Sequence, residues 1–293
     1  MEPYESAAAL LAPSLRMAAL RLSPEIRRRA EEFRLRLGYP LTVHIAGREI
    51  PAAETAVGEG EILKCMELCS GGSAYAVEDE LREGFLSAPG GHRLGICGRA
   101  VLRGGEIAGF REISSLALRI ARAVPGAAAE ILPEVLREGR VRSTLILAPP
   151  GRGKTTLLRD LIRGISASGI RVAVADARGE IAGSFRGVAA FDLGSCTDVM
   201  CAAPKGEAIL RLLRCMSPAV IAVDEITTPE DLAAVRQAAF TGTAILATAH
   251  AFAPEDLSRR PLYRELAAAG VFERRIFIDA CRRPVFFGGE GEE

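Results

Sequence analysis

The chain has 293 residues, enough for two domains and a substantial core, and its 49% hydrophobic and 25% charged content is that of an ordinary globular protein. Basic and acidic residues number 37 each, so the overall balance points neither to nucleic acid nor to an anionic membrane. No run approaches the roughly 18–20 apolar residues of a membrane span, and seven cysteines without a Cys-x-x-Cys pair or matching histidine read as reduced thiols, not a zinc site.

In chain order, the apolar stretch 7–13 follows Glu2 and Glu5, where a secretion signal would be positive, so no targeting segment is expected. Residues 5–20 and 24–31 have helical periodicity, and 33–38 and 41–47 alternate as a hairpin of half-buried strands. Helices are expected at 60–70 and 75–82. Several short strands follow over 84–121, cut by Gly-Gly turns at 90–91 and 104–105. Pro125 and the Gly-Ala stretch 126–128 mark a hinge. Beyond 141, apolar runs at 145–148, 172–175, 219–223 and 244–247 alternate with helical segments near 153–168, 206–216 and 229–240. Such alternation indicates a parallel sheet covered on both faces. The expected layout is therefore an α+β domain over 1–125, a linker over 126–140, a doubly wound α/β domain over 141–287 and a frayed tail at 288–293.

The segment "LAPPGRGKTTLLRDL", residues 147–161, lies at the strand-to-helix junction of the second domain. It matches the phosphate-loop pattern G-x-x-x-x-G-K-[ST] except that Ala148 stands for the first glycine. That position ends a strand and has no need of positive φ. In such a loop, glycine-rich backbone presents N–H groups to phosphate oxygens, the helix dipole adds to the attraction, lysine reaches the β- and γ-phosphates, and the hydroxyl ligates Mg²⁺. Pro149, Pro150, Gly151, Arg152, Gly153, Lys154, Thr155 and Thr156 are accordingly expected to form a nucleotide site, with ATP and Mg²⁺ as its occupants.

A phosphate loop also needs a carboxylate at the end of a neighbouring strand. "AVIAVDEI" provides Asp224, to orient Mg²⁺, and Glu225, to polarise the attacking water. An acidic pair there is also a common helix start, and Thr227, Thr228 and Pro229 have that character; the strand before the pair favours catalysis. Thr248 and His250 close the strand "TAILATAH", where ligands of open α/β sheets lie. The residues leave His250 open between a structural histidine and a γ-phosphate sensor. Asp176, followed by Arg178 and Glu180, ends a further buried strand and is open between a salt-bridged loop and a catalytic or coupling role.

Taken together, "EEFRLRLGYPL", "YAVEDELREGFLSAPGGHRLGICGRAV", "ISSLALRIAR", "PPGRGKTTLLRDLIR", "DARGEIAG", "KGEAILRLLRCMSPAVIAVDEI" and "ATAHA" resemble, in order and over most of the chain, the blocks of the stage III sporulation protein AA family. That family is a branch of P-loop ATPases related to the type II and type IV secretion motors. The resemblance implies a RecA-like ATPase core behind a small N-terminal domain, assembled as a homo-oligomeric ring, expected to be a hexamer. It implies a soluble ATPase of the mother cell, peripheral at the membrane around the forespore, energising a secretion-like channel through membrane-embedded sporulation proteins. By position, Lys154 and Thr155 would bind phosphate and Mg²⁺, and Asp224 and Glu225 would form the acidic pair. Asp176 with Glu180 would match the secretion motors' acidic box, and His250 would fall in their histidine motif. Thr227 replaces the glycine usual after "DEI" and Gly179 a common serine; the first departure bears on communication between subunits.

An arginine from an adjacent subunit often neutralises charge on the γ-phosphate, and Arg111, Arg119 and Arg122 are candidates, none of them preferred. Two other readings remain: a nucleic-acid motor or helicase loader, opposed by the neutral charge and the lack of a basic face interleaved with aromatics, and an ATP-dependent ring scaffold without turnover, opposed by Glu225. No nucleic-acid partner is expected.

Overall fold

The computed structural model describes residues 2–72 and 78–287. The tail expected to fray at 288–293, and the first part of the helix expected at 75–82, lie outside the described residues. The chain forms two compact units: Met1–Arg122 with Gly183–Ala190, and Ala123–Ala182 with Phe191–Glu293. The short excursion 183–190 thus belongs with the N-terminal unit, a long-range assignment that no local pattern announces.

Helices α1 (Pro3–Ala8), α2 (Pro13–Leu20) and α3 (Pro24–Arg29) open the N-terminal unit. The single helix expected over 5–20 is two, because Pro13 starts a new helix and Ala12 before it takes an extended conformation. Strands β1 (Glu32–Arg36), β2 (Pro40–Ile45) and β3 (Arg48–Ala56) follow, then α4 (Glu59–Ser70), α5 (Glu78–Arg82), β4 (Phe85–Ala88), β5 (His92–Arg103) and β6 (Glu106–Arg119). They make one sheet in the order β3-β2-β1-β6-β5-β4, antiparallel throughout. Alternate residues Phe33, Leu35, Leu41, Val43, Leu94, Ile96, Leu116 and Leu118 bury one face together with Tyr4, Leu11, Leu15, Ile62, Cys65 and Cys69 from the helices.

The expected series of short strands over 84–121 is instead dominated by one long hairpin. Its turn is Gly104–Gly105, whereas Gly90–Gly91 lies in a short 3-10 turn before β5. Glycines inside the hairpin bend it without ending it. At Gly98, beside a register shift, a Cβ would lie 2.8 Å from the Arg111 carbonyl oxygen, so the two strands approach too closely for any side chain. Within this unit the Arg122 guanidinium donates to the carbonyls of Arg27 at 3.0 Å and Ala30 at 2.8 Å.

His92, at the start of β5, is buried, and its Nδ1 accepts the Ala121 N–H at 3.0 Å. Burial, partly opposed by the backbone of Arg119, holds its pKa down to about 4 from 6.5. The folded imidazole therefore stays neutral while the unfolded one protonates. Its contribution is complete above pH 6.5 and is lost as pH falls towards 4, by up to about 3 kcal/mol. Thermal melts between pH 8 and pH 5 are expected to show this decline, and His92→Asn, which keeps an acceptor for Ala121, should flatten it. An unchanged slope in the variant would remove His92 as its cause.

The second unit begins with α6 (Leu132–Val135) and the short pair β7 (Leu136–Arg137) and β8 (Arg140–Val141). Then come β9 (Thr144–Ala148), α7 (Lys154–Ala167), β10 (Val172–Asp176), β11 (Thr197–Cys201), α8 (Lys205–Met216), β12 (Val220–Val223), α9 (Pro229–Phe240) and β13 (Ala244–His250). The unit closes with α10 (Asp256–Arg259), α11 (Pro261–Ala268), β14 (Arg274–Ile278) and β15 (Pro284–Phe286). The sheet order is β11-β10-β12-β13-β9-β14-β15, parallel except at β15. Period-two alternation divides each central strand between two cores. Leu145, Leu147, Ile221, Val223, Ile245 and Ala247 face α8, α9 and α11, while Ile146, Val172, Val174, Ala222 and Leu246 face α7. Helices on both faces explain why these strands are apolar throughout. Strand β11 and the β14–β15 hairpin, absent from the expected elements, lie towards the edges and lack such continuous runs.

Candidate functional site

Sheet order brings the carboxyl ends of β10, β12, β13 and β9 side by side. Parallel register aligns Ala175 with Val223, Val223 with Ala247, and His250 with Ala148. Asp176, the Asp224–Glu225 pair, His250 and the loop after Ala148 therefore emerge along one edge, the usual ligand edge of an open α/β sheet. In that loop Gly151 and Gly153 have φ of 71° and 95°, and a Cβ at either would meet nothing within 4 Å. The left-handed backbone, not crowding, calls for glycine at these two points.

Lys154 opens α7 and is nearly fully buried. Its ammonium donates to the carbonyls of Ala148 at 3.1 Å and Pro149 at 3.2 Å, and lies 2.7 Å from His250 Nδ1. Burial lowers its pKa, while the charges of Asp224 and Glu225 pull it back up. A desolvated cation in a cradle of backbone oxygens has unspent affinity for anions.

The carboxylate of Asp224 is held at both oxygens. Thr155 Oγ1 donates to Oδ2 at 2.9 Å, and the buried Thr248 hydroxyl donates to Oδ1. Thr248 Oγ1 also accepts the Glu225 N–H at 2.8 Å. Glu225 Oε1 lies 3.0 Å from His250 Nε2. With Nδ1 accepting from the lysine, the ring proton sits on Nε2 and is directed at Glu225. The His250 carbonyl accepts from the Tyr263 hydroxyl at 2.6 Å, which anchors the end of β13. Lys154, His250 and Glu225 thus form one continuous polar chain.

Asp176 is buried at the end of β10. Burial raises its pKa, opposed by the N–H groups of Ala182 at 2.8 Å and Ile181 at 3.1 Å. Arg159 of α7 grips the same loop, donating to the carbonyls of Ile181 at 2.7 Å and Glu180 at 2.8 Å. Its guanidinium also lies 3.6 Å over the Phe191 ring. The acidic loop is therefore fastened to the helix that begins with Lys154. The exposed Glu180 lines a small cleft with Asp176, Arg178, Lys205, Asp224 and Glu225.

Of the residues expected from sequence, Lys154, Thr155, Asp224, Glu225, His250 and Asp176 come together on this edge, and Glu180 shares the cleft. Pro149 contributes a carbonyl to the lysine cradle, Pro150 is exposed, and Thr156 is half-buried on α7. Arg152 is turned away, donating to the Ala280 carbonyl at 3.0 Å. Lys205 and Arg159 were not anticipated. The scarcity of lysine, three in the whole chain, was a signal for Lys205; nothing local marked Arg159 among so many arginines.

The donor set suits Mg²⁺ shared with a nucleotide. A threonine hydroxyl and a carboxylate stand together as hard oxygen donors, the incomplete set that this ion accepts when phosphates complete it. Among the described residues no group of three or more His, Cys, Asp or Glu offers a self-sufficient metal site.

Comparison with known proteins follows this geometry. The family described as "Sporulation stage III, protein AA" matches residues 1–290. The chain is 35% identical over 260 residues to the stage III sporulation protein AA of Bacillus subtilis (strain 168), covering 87% of this chain and 84% of that one. Among solved structures, the pilus retraction motor PilT with bound ADP superposes with a TM-score of 0.61 at 17% identity, over 91% of this chain and 82% of that one. The Legionella pneumophila ATPase DotB gives 0.58 at 17% identity, over 88% and 75%. At such identities the likeness is one of fold: a RecA-like P-loop core behind an α+β domain.

Proposed function

Because the chain belongs to the sporulation stage III protein AA family, we propose that it is an ATP-hydrolysing motor energising a secretion-like channel complex between mother cell and forespore. The observation that carries the chemistry is the chain Lys154–His250–Glu225 beside the Thr155–Asp224 pair. A motor reading is supported by the fold shared with a pilus motor and a bacterial ATPase.

In this reading the loop 149–156 holds the phosphates of ATP, and Lys154 exchanges its carbonyl and imidazole partners for β- and γ-phosphate oxygens. Thr155 and Asp224 hold Mg²⁺, which when bound neutralises phosphate charge. Glu225 takes a proton from the attacking water as it adds to the γ-phosphorus and the bond to the ADP oxygen breaks. His250, in contact with both Lys154 and Glu225, reports to one what happens at the other. Glu180 acts with Asp176 on the same edge, on a loop that Arg159 ties to α7.

Assembly as a homo-oligomeric ring, a hexamer by analogy, would let a neighbouring subunit contribute an arginine. By its family we place the protein in the mother-cell cytoplasm, docked on membrane-embedded sporulation partners; among the described residues no helix is long and apolar enough to cross a membrane.

Steady-state ATP turnover against protein concentration, with and without single-stranded DNA, tests the proposal. Specific activity is expected to rise with self-association and to be indifferent to DNA. Strong stimulation by DNA would favour a nucleic-acid motor instead, and no turnover at any concentration or with membrane partners would leave a scaffold.

A further inference from the structure

Glu225 has a backbone conformation that its residue type avoids. Its φ is 47°, in the left-handed region where a Cβ crowds the neighbouring carbonyl. Such strain persists only where surrounding contacts over-determine it. Three of these come from one side, all to β13: the Glu225 N–H donates to Thr248 Oγ1, the Ile226 N–H of the next peptide donates to the Thr248 carbonyl at 3.0 Å, and the carboxylate meets His250 Nε2. The fourth comes from across the cleft, where the Lys205 ammonium donates to the Glu225 carbonyl oxygen.

Lys205 is itself misplaced by local rules. It is the first residue of α8, where the positive end of the helix dipole disfavours a cation. It is half-buried, and lines the cleft that Asp176, Glu180, Asp224 and Glu225 share with Arg178. Two breaches of local preference thus meet at one hydrogen bond. Features of this kind concentrate where function outweighs local stability.

We propose that Lys205 is a positioning residue that pins the Glu225 peptide in its left-handed conformation and so aims the carboxylate at the reacting centre. It acts through Glu225 and does not touch the nucleotide. The inference rests on the reading of Glu225 as general base. Without the ammonium, the carbonyl loses its anchor on the α8 side. The peptide then relaxes to negative φ, and the carboxylate swings off His250. A misplacement on the order of 1 Å at a reacting group can cost about a hundredfold in rate.

The test compares Lys205→Met, Lys205→Arg and Glu225→Gln with the wild-type chain. Titration with a fluorescent ATP analogue, kcat and KM for ATP, and crystal structures of wild type and Lys205→Met are the readouts. Lys205→Met is expected to bind within about twofold of wild type, to keep KM, and to lose kcat by about 10- to 100-fold. Lys205→Arg, which keeps a charged donor, is expected to recover most of it. In the Lys205→Met structure Glu225 should have left the left-handed region and its contact with His250. Wild-type kcat in Lys205→Met beside a dead Glu225→Gln would overturn the role of Lys205 and leave the ATPase standing. Equal loss of affinity and kcat would make Lys205 a nucleotide contact, also against the proposal. If the wild-type chain turns over no ATP, the proposed function falls, and the Glu225 conformation in the two crystal structures still decides what Lys205 holds.

Discussion

Glu225→Gln is expected to bind ATP as the wild-type chain does and to turn it over about a thousandfold more slowly, within the range of about 10²–10⁴ that a general base contributes. The amide has nearly the same shape and can still accept from His250 Nε2, which lies 3.0 Å from Oε1 in the native chain. It cannot accept a proton from water. Because the Glu225 N–H and carbonyl contacts belong to the backbone, the substitution leaves the Thr248 and Lys205 anchors in place. The loss should therefore fall on kcat, with little change in nucleotide affinity or thermal stability. Rapid-quench turnover beside equilibrium binding would measure both. Turnover within a few-fold of wild type would take Glu225 out of the mechanism, and a parallel loss of binding would make it a ligand contact.

Lys154→Ala acts earlier. The ammonium sits desolvated among carbonyls of its own loop, and burial already weakens its hold on the proton. A phosphate oxygen relieves that cost, so the lysine contributes more to binding than an exposed cation would. Truncating one member of such a buried charge pair costs about 2–5 kcal/mol, equivalent to roughly 30- to several thousand-fold in affinity. We expect no saturable nucleotide binding at micromolar protein, by calorimetry or by a fluorescent analogue, with the fold preserved in circular dichroism. Affinity equal to wild type would overturn the phosphate-loop assignment itself, and with it every role built on the neighbouring strands.

The expected charge networks also differ in what supports them. Asp224 is held by two hydroxyls, from α7 and from β13, so its orientation depends on the register between strands as well as on the phosphate loop. Thr227, the departure after the acidic pair, donates its N–H to Asp231 at 3.1 Å and joins the start of α9, where Thr228 caps the helix. The helix start expected in that segment is realised at Thr228, and it begins only after the acidic pair, which leaves Asp224 and Glu225 free for the proposed catalytic role.

From sequence alone came the four buried strands, the three long helices between them, the phosphate loop and the acidic pair. These are legible because each depends on local spacing: an apolar run long enough for a strand buried on both faces, glycines where φ must be positive, a lysine and a hydroxyl one residue apart. The resemblance of the ordered blocks, from "GFLSAPGGHRLGICG" to "ATAHA", supplied the family. What spacing could not supply was adjacency. Strand order β10-β12-β13-β9 is a property of crossovers, and it alone sets His250 between Lys154 and Glu225, a contact that no local pattern announces. The same holds for the excursion 183–190, for the grip of Arg159 on the acidic loop, and for the Lys205 ammonium on the Glu225 carbonyl. Each joins residues roughly twenty or more positions apart by contacts with no period in the chain. Periodicity encodes which face of an element is buried; only packing decides which elements that burial brings together.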